Sequence, residues 1–240
     1  MTVIRHAALC DKGVQRKRNE DRYYIHEQRG LYFVTDGMAN EVTPHVVVES
    51  LPPRIREEFG DDQRLTGGAA ARLQTVLREL NEEIRNQRLD LWSRCIGATL
   101  VLALVRGKQA LLAHLGDSRI YLHRGGRLEQ VTHDHSHVQQ MIDRGELTPA
   151  ESYVARSRSG PTRFLGMPGD ALADVRPLDL QPADRLLLCT DGLTDMLLEG
   201  DIETILNKAS DCDAACQKLV AAANAAGGHD NITVVLIQAG

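Results

Sequence analysis

The sequence has no excess of positive charge: 28 Lys and Arg stand against 33 Asp and Glu, a net charge of −5 with an isoelectric point near 6.0. General binders of nucleic acid or anionic membrane are usually basic, which argues against both as main partners. No long apolar run is present. The most apolar stretch, Ile96 to Val105, is ten residues. It suits a buried strand and falls well short of the ~20 residues that span a bilayer. The opening, MTVIRHAALCDKG, lacks the apolar core of a secretory signal. Cysteine is sparse, with five residues, an odd number, and no Cys-x-x-Cys pair. A disulfide framework is therefore not expected, and a reducing, cytoplasmic setting fits better. No repeat, low-complexity segment or linker divides the chain, so one domain over residues 1–240 is expected. The apolar fraction of 42% and charged fraction of 25% are those of an ordinary globular protein.

Short apolar runs bounded by Gly or Asp recur at 31–37, 96–105, 110–117, 185–192 and 229–237. Each reads as a strand buried on at least one face. The 96–105 and 110–117 runs are joined by Arg106-Gly107-Lys108-Gln109, a hairpin-length turn. Between the runs, Leu73, Val76, Leu77, Leu80 and Ile84 recur at helical spacing in 69–89. Residues 41–58 make a weaker helix, interrupted by Pro44, Pro52 and Pro53. Further helices are expected at 136–144, 201–208 and 212–225, with an irregular, Gly- and Pro-bearing region over 145–173. Helices segregated from mostly antiparallel strands define an α+β class.

The chemistry lies where the runs end. Asp36, Asp117 and Asp191 each close an apolar run, and Asp230 opens one. If those edges meet, four carboxylates share a small volume, and their repulsion is relieved by protons or by a cation. Oxygen donors without His or Cys suit a hard divalent ion such as Mg²⁺ or Mn²⁺. Asp36 and Asp191 are each followed by glycine, Gly37 and Gly192, which lets the backbone approach a ligand. A second cluster, Arg16-Lys17-Arg18-Asn19-Glu20-Asp21-Arg22, mixes acids for a metal with arginines whose planar forks suit phosphate.

These segments resemble the type 2C metal-dependent protein serine/threonine phosphatases, in their bacterial single-domain branch. The motifs are Gly13-x-x-Arg16-x-x-Asn19-Glu20-Asp21, Val34-Thr35-Asp36-Gly37-Met38, Gly97-Ala98-Thr99-Leu100 and Leu115-Gly116-Asp117-Ser118-Arg119-Ile120-Tyr121. They continue with Thr132-x-Asp134-His135-Ser136 and Gly145-Glu146-Leu147-Thr148, then Thr190-Asp191-Gly192-Leu193 and Gly228-His229-Asp230-Asn231-Ile232-Thr233. The resemblance spans almost the whole chain. It implies a four-layer αββα sandwich with a flap over about 133–173. It also implies that Asp36 bridges two Mn²⁺ or Mg²⁺ ions, one held with Asp191 and Asp230, the other with Glu20 and the carbonyl of Gly37. Asp21 would orient metal-bound waters, Asp117 with Asp191 and Asp195 would form a third metal site, and Arg16 would grip the substrate phosphate. The implied reaction is hydrolysis of phosphoserine and phosphothreonine in proteins, by in-line attack of a hydroxide bridging the metals. The implied partners are phosphorylated proteins and a Ser/Thr kinase acting on the same pathway. Nothing suggests an obligate oligomer, and a monomer is the default.

Three features depart from the family pattern. Met38 stands where eukaryotic members have a histidine general acid, so metal-bound water is the expected proton donor. Ala39-Asn40-Glu41 is shorter than the usual stretch, and Ala155-Arg156-Ser157-Arg158-Ser159-Gly160 replaces the usual flap residues. These altered loops leave open a catalytically impaired phosphoprotein-binding module of the same fold. Cys10-x₅-Arg16 leaves open a thiolate-dependent phosphatase. His133-x-His135-x-His137 has a zinc-like spacing but overlaps the flap motif. Cys212, Cys216, Leu89 and Trp92 are read as packing residues, and His229, next to Asp230, as structural or as a support for the metal ligands.

Overall fold

The continuous apolar runs form strands with both faces buried. In the computed structural model, which describes residues 4–38, 41–60, 65, 67–86, 97–148, 151 and 160–240, strand β3 (Leu31–Thr35) sends Leu31 and Phe33 to one side and Tyr32 and Val34 to the other. Strand β4 (Leu100–Arg106) alternates likewise, with Leu100, Leu102 and Leu104 opposite Val101, Ala103 and Val105. Successive side chains point to opposite faces of a strand. A run without polar residues is therefore what a strand covered on both faces needs.

Among the described residues, the strands make two five-stranded sheets. The first runs β1 (Ile4–Asp11), β10 (Ile232–Ala239), β9 (Arg185–Cys189), β6 (Arg119–Arg124) and β7 (Arg127–Gln130). The second runs β2 (Arg22–His26), β3, β4, β5 (Gln109–Leu115) and β8 (Asp174–Asp179). Every pairing between these strands is antiparallel. Val34, Val101, Ile120, Leu188 and Val235 belong to the core between the sheets. Helices α1 (Val42–Phe59) and α2 (Ala69–Asn86) pack on the outer face of the second sheet. The short helices α3 (His137–Asp143) and α4 (Asp191–Thr194) sit in connections. Helices α5 (Glu199–Lys208) and α6 (Cys212–Ala225) cover the first sheet, with Cys212 and Cys216 buried against it. The layers are thus αββα, as the resemblance implies.

Helix α1 is stronger than its prolines suggest. Pro44 lies in the first turn, where a missing N–H costs nothing. Pro52 and Pro53 remove two internal bonds, but Val47, Leu51, Ile55 and Phe59 recur every fourth residue and bury the opposite stripe. Helix α3 starts where Ser136 Oγ accepts the Gln139 N–H at 3.1 Å. The packing expectation for Leu89 and Trp92 falls at 87–96, outside the described residues, as do Ala39, Asn40 and the 152–159 part of the flap.

Candidate metal centre

Strand register brings the acidic ends together. Asp11 pairs with Ile232, Val234 with Cys189, and Cys189 with Arg119, so β1 and β9 end where β6 and β10 begin. In the second sheet Arg22 pairs with Thr35 and Leu100 with Leu115, so β3 and β5 end where β2 and β4 begin. The two sheets are tied at this end: Thr190 Oγ1 donates to Asp21 Oδ2 at 2.9 Å and accepts the Thr233 N–H at 3.0 Å. Glu20, Asp21, Asp36, Asp117 and Asp230 lie in loops at this end, and Asp191 and Asp195 in and just after the short helix α4.

The backbone beneath each acid is fixed. Asp36 N–H donates to Thr99 Oγ1 (3.2 Å), its carbonyl accepts Thr99 N–H (2.9 Å), and Thr99 Oγ1 meets Ser118 Oγ at 2.6 Å. Asn231 clamps the other side. Its Oδ1 accepts Glu20 N–H at 2.8 Å, and its Nδ2 donates to the carbonyls of Lys12 and Arg18 at 2.8 and 2.9 Å. Asn19 Oδ1 accepts Asp21 N–H at 3.0 Å. Gly192 is explained by packing rather than by ligand approach, since a Cβ there would sit 1.9 Å from the Asn231 carbonyl oxygen. Gly13, at φ +76°, similarly leaves no room for a Cβ against the Asp230 carbonyl. Thr99, Thr190 and Asn231 lie inside the motifs quoted above, yet their positioning roles are not legible from spacing.

The electrostatics are those of crowded like charges. Burial, and then the charges of Asp21, Asp191, Asp230 and Asp117, hold the Asp36 carboxyl well above the usual carboxylate range. Burial, followed by Asp117, Asp195 and Asp230, does the same for Asp191. Burial pushes Asp21 up to about 6, despite hydrogen bonds that oppose the shift, and pushes Asp117 up to about 7 with help from Asp134. Glu20 is also raised, chiefly by partial burial. Arg16 Nη2 donates to Asp230 Oδ2 at 2.5 Å. Burial opposes the Arg16 charge, but Asp230, Glu20 and Asp36 outweigh it and raise its pKa.

This donor set fits a hard cation. Asp21 is fully buried, and its Oδ1 has no hydrogen-bond partner among the described residues. A buried carboxylate oxygen left so is costly unless a proton or cation meets it. Asp117, Asp191 and Asp195 also line a cavity of about 20 Å³, room for one water or ion. Among the described residues no three donor atoms of these acids fall within 4.8 Å of one another. Such spacing suits ions that keep several waters.

Among the described residues one trio does meet within 4.8 Å: His114, His135 and Asp174. Its bonds are already satisfied. Gly116 N–H donates to His135 Nδ1 (3.3 Å), which places the proton of the neutral ring on Nε2, facing Asp174 Oδ2 at 3.2 Å. Burial, with His114 and Arg163, pushes His135 down to about 4, so the ring is neutral. Arg163 already pairs with Asp174 at 3.1 Å. The trio ties the two ends of the flap together. The zinc-like spacing of His133, His135 and His137 does not make a site: His133 is exposed and bonds Asp143, while His135 is buried. Cys10 is equally unsuited to a thiolate mechanism. Its sulfur accepts from Asn19 (3.1 Å) and Thr233 (3.0 Å), and burial raises its pKa, the reverse of an activated thiol.

A two-sheet sandwich that gathers buried carboxylates at one end offers oxygen donors to divalent cations. The model of the family "Protein phosphatase 2C" matches residues 18–222. The serine/threonine phosphatase stp of Listeria welshimeri is 31% identical over 237 residues, covering 95% of this chain and 93% of that protein. Stp1 from Staphylococcus aureus superposes with a TM-score of 0.90 at 27% identity, covering 99% of this chain and 95% of that one. The catalytic domain of PstP, solved with two manganese ions, gives 0.85 at 31% identity over 100% and 99% of the respective chains. The chain belongs to the protein phosphatase 2C family. It is a metal-dependent protein phosphatase, an enzyme that acts on phosphoproteins.

Proposed function

We propose that this enzyme hydrolyses phosphoserine and phosphothreonine esters in bacterial proteins, opposing a Ser/Thr kinase, as a cytoplasmic monomer. Residues 1–240 act as one catalytic domain, with 133–173 as its flap. The convergence of Glu20, Asp21, Asp36, Asp191 and Asp230 at one end of both sheets carries this reading.

Asp36 would be shared by two Mn²⁺ or Mg²⁺ ions, Asp191 and Asp230 holding one and Glu20 with the Gly37 carbonyl the other. Asp117 and Asp195, beside Asp191, would hold a third. When bound, such cations acidify water to give a nucleophile near neutral pH and neutralise the phosphoryl oxygens. Asp21, held through Oδ2 by Thr190, keeps an Oδ1 without a hydrogen-bond partner among the described residues that would orient water beside the ions. Arg16 exchanges its Asp230 partner for the substrate phosphate, which it can grip with a planar two-donor fork. Glycine at 37 keeps a side chain away from the approach. Cys10 has no part in bond breaking.

The test is hydrolysis of p-nitrophenyl phosphate and a phosphothreonine peptide, with Mn²⁺ or Mg²⁺ and with chelator. Turnover that needs the ion and disappears in Asp36→Asn supports the reading. Equal turnover in chelator, or loss of turnover in Cys10→Ser alone, overturns it.

A further inference from the structure

Strands β2 and β4 run away from the acidic end and finish, at His26 and Arg106, at the opposite pole of the second sheet. There an open cleft of about 330 Å³ lies between that pole and helix α1. Its walls have two kinds of chemistry. Tyr24, Leu31, Val48 and Ile55 contribute an apolar floor. The Tyr24 ring stacks on buried Phe33, with centroids 5.2 Å apart and planes 14° from parallel, so the floor includes a fixed aromatic plate. Arg29, Arg56 and Arg106 add a cationic wall, beside the His26 imidazole. Glu49 is the one carboxylate on the wall. Arg106 is 8% exposed and is locked in place, its Nη1 donating to the carbonyls of Arg29 and Val105. Arg56 has no carboxylate partner among the described residues.

Three guanidiniums against one carboxylate, on a chain with a net charge of −5, select an anion. Planar forks favour phosphate over a point charge. A stacked aromatic plate favours a flat ring on the same molecule. The volume is that of a small-molecule site. We propose that this cleft binds a nucleotide-class ligand, its ring lying against Tyr24 and its phosphate held by the arginines. This site stands apart from the catalytic centre and does not depend on how that centre works. None of the acids of the metal centre lines the cleft.

The probe is ADP, titrated into the full-length, Mg²⁺-loaded protein and followed by amide chemical shifts, with adenosine and pyrophosphate as separate arms. The expected result is saturable shifts within 24–31 and 48–56 that persist in Arg16→Ala. Arg56→Glu should weaken this event at least tenfold, and Arg56→Gln less. Tyr24→Leu, which keeps the floor apolar, should weaken ADP but not pyrophosphate. Adenosine and pyrophosphate should each bind at least tenfold more weakly than ADP. Shifts confined to residues near Arg16 and Asp36 would overturn the proposal. So would shifts in 24–31 that Arg56→Glu leaves unchanged, or pyrophosphate binding as tightly as ADP.

Discussion

Two groups of buried charge meet at one small cavity, where Arg119 and Asp134 face Asp117 and Asp191, and they have been handled in opposite ways. In one, Arg119 meets Asp134 with a two-pronged contact, Nε to Oδ1 at 2.9 Å and Nη2 to Oδ2 at 2.5 Å. Tyr121 and Gln130 complete it, at 2.9 Å each. Every charge there has its partner inside the protein. In the other, Asp21, Asp36, Asp117 and Asp191 face like charges, and Asp21 Oδ1 has no partner among the described residues. Burying unpaired charge costs several kcal/mol, roughly, per ion. The first cluster is finished by folding. The second is left by folding with repulsion that a proton or a cation would relieve.

The contrast can be broken most forcefully in the second cluster. Asp36→Asn or Asp191→Asn should lower turnover of a phosphothreonine peptide by ~10³-fold or more, about 4 kcal/mol. Thermal melting of the same variants without metal should show no loss of stability, since a repelling charge has gone. Next comes the first cluster. Arg119→Met should destabilise the protein by about 3–5 kcal/mol, because Asp134 is left buried and unpaired. The double variant Arg119→Met with Asp134→Leu should regain most of that in a urea melt; a double variant as unstable as the single one would show that the pair is not self-contained. Arg16→Ala should raise KM by about 10- to 100-fold, roughly 1.4–2.7 kcal/mol, while Mn²⁺ affinity by calorimetry changes little. Equal losses of both would contradict a phosphate-gripping role.

A smaller effect separates the clusters by pH. The raised carboxyls bind protons in the folded, metal-free protein at pH values where the unfolded chain has lost them. Stability from that source is complete near pH 4 and is lost as pH rises through the folded values, about 6 for Asp21 and about 7 for Asp117, with Asp36 and Asp191 raised in the same direction. His114 and His135, lowered by burial, act in the opposite sense below about pH 6.5. The window that isolates the carboxyls is therefore about pH 6.5–8, where Asp117, at about 7, loses its proton. Metal-free protein should melt a few degrees lower at the alkaline end, and Mn²⁺ should remove that slope. Cys10→Ser should change turnover by less than about twofold, given a thiol held protonated by burial.

The sequence carried much of this, unevenly. Apolar runs ending in Asp revealed β3, β5 and β9, because strands covered on both faces have no polar positions to confuse the pattern. Strand β8, DVRPLD, is mostly exposed and has no such signature. It is a strand because β5 offers it an edge, and an edge is invisible in a local window. Strand β1 escaped for a similar reason, since Ala7 is the single residue of its eight that is buried. Helix α1 was underrated because its prolines are local and its buried stripe is tertiary. The acids were legible as a set, but the residues that aim them were not. Thr99, Thr190 and Asn231 act through bonds spanning 63, 169 and 211 positions, and nothing in a short motif shows such reach. Gly192 was legible as a glycine and misread in cause: it makes room for the Asn231 carbonyl.

The most direct test is an anomalous difference map from a crystal of the enzyme grown with Mn²⁺, paired with the same experiment on Asp36→Asn. Peaks framed by Glu20, Asp36, Asp191 and Asp230, weakened or lost in the variant, with Arg16 turned away from Asp230, are the expected result. Peaks at His114, His135 and Asp174 instead, or peaks at the acidic end that Asp36→Asn leaves at full height, would contradict a metal centre built on these carboxylates.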